Sequence, residues 1–440
     1  MEGIKQKALD FIDTRFGKAQ EVAREVWGYA EIALEEHRSA KLLADVLERA
    51  GFEVQRGVGE LPTAFIARWG ERGPTVGLLA EYDALPHCGP SHDKTGHGCG
   101  HNLLGTASVY AALASAHALR EGGIPGQVVC FGCPAEETLE GKVYMARDGA
   151  FAGLDAVLTW HPHFQSCARG GSTNAMDSIA FEFFGKSAHA ARDPWNGRSA
   201  LDGVEIMNCA VNMMREHMVE EARVHYVIRD GGVAPNVVPS YARVWYYVRA
   251  PRRALVNELR ERVVNCARAG ALASETEVKA TVLTAVYETL PNQVLARCVQ
   301  RNLEAVGAHR YTGEEKAFAH KLGFETPLSE EVSPMSMENI RPSNERGNVS
   351  WIAPLGSLHV ACHAPGTPGH SWLATQQYGM TIGEKGMATA AKTMAASALD
   401  LISEPGALRE VRAEFEEKTR GFTYDPIIPK DQKPNPLGQR

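Results

Sequence analysis

The chain has no run of about 18 apolar residues, so no membrane-spanning helix is expected. It also lacks a basic excess. Lys and Arg number 46 against 53 Asp and Glu, a formal net charge of −7. Binders of nucleic acid or anionic membranes carry a basic face, so neither partner is expected. An even-numbered cysteine framework is missing too: nine cysteines scattered over 440 residues read as reduced thiols of a cytoplasmic protein. The opening stretch, MEGIKQKALDFIDTRFGKAQ, is charged and amphipathic, without the apolar core of a secretion signal. No internal repeat and no low-complexity tract interrupts the chain. With 44% hydrophobic and 22% charged residues, the composition is that of a soluble globular enzyme of two or three domains.

Helix and strand patterns alternate through the first part. Residues 4–16 and 38–50 have helical apolar spacing, the second through Leu42, Leu43, Val46 and Leu47, with Gly51 closing it. Strand-like segments follow at 52–57, 62–69 and 75–81, then a long Ala/Leu helix from Asn102 to Leu119. Short apolar strands are expected at 127–133 and 156–161. This alternation predicts an α/β sheet covered on both faces. From Ser178 the rhythm becomes β-α-β-β-α-β: a strand at 178–185, a helix at 198–217, two strands around the PNVVPS turn, a helix at 253–272 and a last strand to Tyr287. That order is a ferredoxin-like unit. Helix–strand alternation resumes at about Asn292 and is expected to end in a helix over 385–402, before a loosely packed Pro- and Lys-rich tail after Tyr424. The expected boundaries are 1–177 and 288–440 for the α/β domain and 178–287 for the insert.

Chemistry-bearing residues gather at the ends of the apolar strands. His97-Gly98-Cys99-Gly100-His101 follows the strand that ends in Glu81-Tyr82-Asp83. A thiolate and an imidazole suit zinc, manganese or another first-row divalent ion, and the glycine between them lets both turn toward one point. A second cluster, Pro134-Ala135-Glu136-Glu137, ends another strand. Adjacent carboxylates are more often a solvated pair. In an open α/β sheet, however, strand carboxyl ends are where ligands bind. One Glu can then hold a metal while its neighbour takes a proton from water that the metal has acidified. Trp160-His161-Pro162-His163 ends a third strand, and a Gly/Pro loop near the C-terminus carries His363 and His370. Each signal is weak alone; a metal-centred hydrolase accounts for all of them together.

The segments EYDALP, GHGCGHNLLGTA, CPAEE, LTWHPH, KSAHAARDPWNGRSALD, GGVAPNVVPS, YYVRAP and GTPGH-W resemble the aminoacylase/carboxypeptidase family of metal-dependent amidohydrolases, in the branch of the p-aminobenzoyl-glutamate hydrolase B subunit. The resemblance runs from Val22 to about Leu401. It implies a metal-dependent exopeptidase-like catalytic domain with an inserted ferredoxin-like dimerisation or lid domain. By the same resemblance Cys99, His101, Glu137, His161 and His370 are metal ligands, for one or two manganese or zinc ions in each protomer. Glu136 becomes the general base and Asp83 the carboxylate that orients a ligand His. His189 resembles the residue that reaches a partner protomer's site, in a homodimer or higher homo-oligomer. Asn236 and Arg249 resemble residues that hold the substrate's carboxylate.

One segment departs from the branch. Before Gly347-Asn348-Val349-Ser350, relatives carry Ser-Thr-Asp followed by an apolar residue, whereas this chain has Ser343-Asn344-Glu345-Arg346. The guanidinium of Arg346 offers a planar fork for a carboxylate or nitro group. The expected activity is therefore hydrolysis of a small-molecule C–N bond. The leading expectation is the amide of an N-acyl or N-aroyl amino acid, p-aminobenzoyl-glutamate-like. The alternative is displacement of ammonia from an electron-poor ring, as for 5-nitroanthranilate. A non-catalytic metal-binding protein is a third possibility, which the intact Glu136 opposes.

Overall fold

The computed structural model describes residues 2–434, and within it the chain divides into two compact units. The first comprises the chain up to Ser172, Leu290–Asn339 and Val349–Asp425; the second comprises Thr173–Thr289, Ile340–Asn348 and the chain from Pro426.

The first unit is built on a seven-stranded mixed sheet. Its strands are β1 (Glu53–Arg56), β2 (Phe65–Trp69), β3 (Thr75–Glu81), β4 (Gln127–Cys133), β5 (Ala156–His163) and β6 (Cys167–Arg169), joined by Leu355–Ala361 from late in the chain, in the spatial order β1-β2-β4-β3-β5-(Leu355–Ala361)-β6. The four central strands run parallel, and antiparallel pairs flank them on both sides. Parallel strands must be covered on both faces, which is why β3 and β4 read as unbroken apolar runs and are buried along nearly their whole length. Two long helices, His101–Gly122 and Thr381–Ser403, bury about four-fifths of the residues they contain. Their many Ala, Ser and Gly residues allow close helix–helix approach. Because the central strands are parallel, their carboxyl ends line one edge of the sheet, the edge at which open α/β sheets bind ligands.

The second unit has a four-stranded antiparallel sheet. Its strands are β7 (Ala175–Phe184), β8 (Arg223–Asp230), β9 (Tyr241–Ala250) and β10 (Glu277–Val286), in the order β10-β7-β9-β8. The late strand of the first unit is accordingly β11 (Leu355–Ala361). Strand β9 shows strict alternation, with Ala242, Val244, Tyr246, Val248 and Ala250 buried and the residues between them half-buried. Helices Ala200–Met214 and Arg253–Ala273 supply the other half of this core through Val204, Met207, Val211, Val256, Leu259 and Val263. Ser199 caps the first helix, its hydroxyl accepting the Asp202 N–H at 3.1 Å. The order is the ferredoxin-like β-α-β-β-α-β.

Three local expectations are corrected. The first helix is not 4–16 but Glu2–Tyr29, because the apolar stripe continues through Ala19, Val22, Ala23 and Val26. The helical region does not end near 402. Pro405, tolerated in a first helical turn, starts a further helix, Pro405–Lys418, which buries Leu408 and Val411. The tail is tied down at Gln432, whose amide donates to the Val282 and Leu283 carbonyls at 2.8 and 3.1 Å. The expectation for 435–440 lies outside the described residues. All nine cysteines are free thiols. Among the described residues no helix is long and apolar enough to cross a membrane.

Candidate metal centre

Four chain segments deliver side chains to the carboxyl edge of the first unit's sheet. Strand β3 ends at Glu81 and is followed by Asp83. Strand β4 leads into the Pro134–Gly141 loop carrying Glu136 and Glu137. Strand β5 carries His161 and His163, and the loop after β11 carries His363 and His370. The helix His101–Gly122 starts at the same edge. Gly100, just before it, has φ +79°, and a Cβ there would stand 2.9 Å from Pro162 Cγ. This glycine therefore lets the backbone turn between Cys99 and His101 while lying against β5.

Three overlapping groups of donor atoms form at this edge: Cys99, His101 and His161; Cys99, Glu137 and His370; and Glu81, His101 and Glu136. Within each group the donors lie within 4.8 Å of one another. Cys99 Sγ is 3.3 Å from His161 Nε2. His101 Nε2 is 3.6 Å from both Glu81 Oε2 and Glu136 Oε2, and His370 Nε2 is 3.6 Å from Glu137 Oε2.

The imidazoles are oriented by their other nitrogens. His101 Nδ1 bonds Asp83 Oδ1 at 2.9 Å in a fully buried setting, which leaves Nε2 with its lone pair facing the cluster. His161 Nδ1 donates to the Pro162 carbonyl at 2.8 Å and likewise turns Nε2 inward. Asp83 works twice, since its Oδ2 accepts the Glu137 N–H at 2.9 Å. Buried Glu36, which sequence reading passed over, holds the same loop two residues earlier. Its Oε1 accepts the Ala135 N–H at 2.8 Å and its Oε2 accepts from Thr63 Oγ1 at 2.9 Å. Ala135 has φ +56°, a left-handed conformation uncommon for a residue with a Cβ. Two buried carboxylates thus hold the backbone on either side of Glu136. Burial, reinforced by Asp83, pushes the Glu36 carboxyl up to about 8, and burial pushes Glu137 up to about 7. The Cys99 thiol is also pushed up by burial.

The donor set fits a divalent transition ion. Glu81 Oε2, His101 Nε2 and Glu137 Oε1 are buried and have no hydrogen-bond partner among the described residues. An unsatisfied buried polar atom costs about 1–3 kcal/mol, so three converging at one edge call for a cation. Sulfur, imidazole and carboxylate donors together suit zinc or manganese.

The remaining residues singled out in the sequence lie in the second unit. His189 is exposed, and its Nδ1 accepts the backbone N–H groups of Ala191 and Arg192 at 3.2 and 3.3 Å, so the proton sits on Nε2. Asn236 is exposed and next to it, its carbonyl accepting the Ala190 N–H at 3.0 Å. Arg249 is half-buried on β9, with Nη1 3.5 Å from Ser343 Oγ, which brings the departing Ser343–Arg346 segment to this arginine. Arg346 is only 8% exposed, and Glu345 is fully buried.

Sequence reading also missed Glu81 and Lys142. Glu81 closes an apolar strand and Lys142 lies inside a short helix, and neither was given a role. The one available signal was charge at positions where the pattern demands burial.

Residues 173–275 match the description "Peptidase dimerisation domain". The chain is 38% identical to the B subunit of the p-aminobenzoyl-glutamate hydrolase of Escherichia coli K12, over 99% of this chain and 100% of that one. The chain belongs to the M20 family of metal-dependent amidohydrolases. Another relative, the mouse Xaa-Arg dipeptidase, is 33% identical over 95% of this chain and 93% of its own length. The fold matches that of the aminobenzoyl-glutamate utilization protein from Klebsiella pneumoniae, with a TM-score of 0.64 at 17% identity, covering 90% of this chain and 98% of that one. It also matches a Bacillus subtilis dinuclear metal-binding peptidase of the M20 family, with a TM-score of 0.59 at 17% identity, covering 89% and 99%. As an M20 enzyme, the protein hydrolyses C–N bonds other than those of ordinary protein backbone.

Proposed function

We propose that this M20 enzyme cleaves the amide bond of an N-aroyl or N-acyl amino acid of the p-aminobenzoyl-glutamate type. The observation that carries this reading is the full-length 38% identity to the B subunit of the Escherichia coli p-aminobenzoyl-glutamate hydrolase, shared by a chain whose carboxylates and imidazoles meet at one sheet edge.

Cys99, His101, Glu137, His161 and His370 would hold the metal, manganese or zinc. Once bound there, the ion supplies Lewis acidity that polarises the scissile carbonyl and acidifies water. Glu136 is the general base: it takes the water proton and later delivers it to the leaving nitrogen. Asp83 keeps His101 in the tautomer whose Nε2 faces inward. Arg249, Arg346 and Asn236 receive the substrate's carboxylate. His189, with its proton fixed on Nε2, donates to the developing oxyanion of a partner protomer's substrate in a homodimer formed through the insert. The dimerising insert is the body of the second unit, expected over 178–287, and the first unit is the catalytic domain.

The departure from the branch at Asn344-Glu345-Arg346 favours a second reading, in which a nitro-bearing aromatic amine loses ammonia at the same centre. The test is to load the protein with manganese or zinc and incubate it with p-aminobenzoyl-glutamate, acyl dipeptides and 5-nitroanthranilate, identifying products by mass. Release of p-aminobenzoate and glutamate is the expected result. Ammonia release from 5-nitroanthranilate with no amide cleavage would replace the first reading by the second.

A further inference from the structure

The end of β3 carries a carboxylate that none of the roles above uses. Glu81 is 2% exposed. Its Oε1 is 2.8 Å from Lys142 Nζ, on a lysine with no exposed surface. Its Oε2 has no hydrogen-bond partner among the described residues and lies 3.6 Å from His101 Nε2, an equally buried atom without a partner. Two donors that share one ion at bonds of ~2.1 Å lie about 3–3.5 Å apart, close to this separation.

A buried carboxylate serving only to neutralise Lys142 would turn its second oxygen to a backbone N–H or a hydroxyl, as Glu36 does with Thr63. Glu81 aims it instead at the Nε2 of an imidazole, 3.6 Å away and without a hydrogen-bond partner among the described residues. At 3.6 Å no hydrogen bond joins these two buried atoms, and a cation between them would satisfy both.

We propose that Glu81 is a further ligand of the metal centre, with Lys142 holding its other oxygen so that Oε2 stays aimed at the ion that His101 binds. Lys142 has a second consequence. Its ammonium offsets the charge Glu81 adds, so the donor set gains an oxygen without gaining net charge.

This inference rests on the metal-centre reading above, and the experiment separates the two. Wild-type protein, Glu81→Asp, and the double variant Glu81→Gln with Lys142→Met are stripped and titrated with cobalt(II). Affinity is read by chelator competition and the ligand field by visible absorption. The aspartate keeps the charge but withdraws the oxygen by one methylene; the double variant removes the carboxylate without stranding an ammonium. If Glu81 is a ligand, both variants bind cobalt(II) at least about tenfold more weakly, with an altered absorption band. Wild-type affinity and an unchanged band in either variant would overturn the proposal and leave Glu81 as the counter-ion of Lys142. Should one variant fail to fold, by circular dichroism, the other decides. Wild-type protein that takes up no cobalt would instead remove the metal-centre reading itself.

Discussion

Replacing Asp83 with Asn changes one atom in a buried site, and its consequence follows from counting donors. Asp83 is 1% exposed and accepts twice: from His101 Nδ1 at 2.9 Å and from the Glu137 N–H at 2.9 Å. Asparagine offers a single acceptor oxygen, and its other end is an NH2. If the oxygen faces the Glu137 N–H, the NH2 faces His101 Nδ1. The imidazole must then move its proton to Nε2, which removes the lone pair directed at the cluster. If the oxygen faces His101, the Glu137 N–H meets an NH2 and the Pro134–Gly141 loop loses one of its two anchors. Either outcome leaves a buried donor unpaired, at about 1–3 kcal/mol. Loss of the group that orients a ligand His typically lowers metal affinity by about 10–100-fold. Asp83→Asn is therefore expected to stay folded, melt several degrees lower, and bind zinc or manganese at least about tenfold more weakly in chelator competition. Unchanged metal affinity would refute the reasoning, because neither orientation of the amide can serve both donors.

Much of the scaffold was legible because period and burial agree. Strands β3, β4 and β5 are apolar runs closed by Gly, Pro or charge, and the change to alternation at Ser178 marks the ferredoxin-like insert. Cys99 and His101 could be paired in advance because only Gly100 separates them. The groups that meet them come from positions about 60 and 270 residues further on, at His161 and His370, so only the parallel sheet shows that they share an edge. Glu36, Glu81 and Lys142 were hidden for another reason. A single sequence assigns a charged residue to the surface unless a motif claims it, and the partners that make their burial tolerable, Ala135 N–H for Glu36 and the mutual pair for the other two, are distant along the chain. The helix Pro405–Lys418 was missed because proline reads as a terminator until its place in a first turn is known. Attachment of Ile340–Asn348 to the second unit left no local signal, since such a return crossing is a matter of tertiary contact alone.

Four further outcomes test other links in the chain of reasoning. Glu136→Gln should lose about 10²-fold or more in turnover while retaining its metal by elemental analysis, as expected for loss of a general base; near-normal turnover would reassign the residue. Gly141→Ala would place a Cβ 1.8 Å from the Pro134 carbonyl oxygen and so disrupt the loop that carries Glu136 and Glu137, whereas Gly17→Ala, in a helix with open space around it, should raise stability by about 0.5–1 kcal/mol; calorimetry on both variants checks the contrast. Burial, with Lys385 nearby, holds His309 down at about 4, its Nε2 donating to Tyr311 Oη at 2.7 Å. The folded state thus binds fewer protons than the unfolded one between about pH 4 and about 6.5, so stability falls as pH drops through that window. The share due to His309 is about 1–2 kcal/mol between about pH 7 and about pH 5, and His309→Gln should flatten the pH dependence of urea unfolding by that amount; an equally steep dependence would clear His309 of the effect. The last outcome concerns the dimer. His189 Nδ1 is committed to two backbone N–H groups, so its exposed edge presents an N–H donor that can serve a neighbouring protomer's oxyanion. When His189→Ala and Glu136→Ala protomers, each nearly inactive, are co-expressed and the mixed dimer is isolated, a role in trans leaves one site with both lesions and the other with neither. About half the wild-type activity per dimer should then return, because two-fold symmetry exchanges the same residue between both sites. A role in cis leaves one lesion in every site, and a mixed dimer as inactive as its parents would confine His189 to its own protomer.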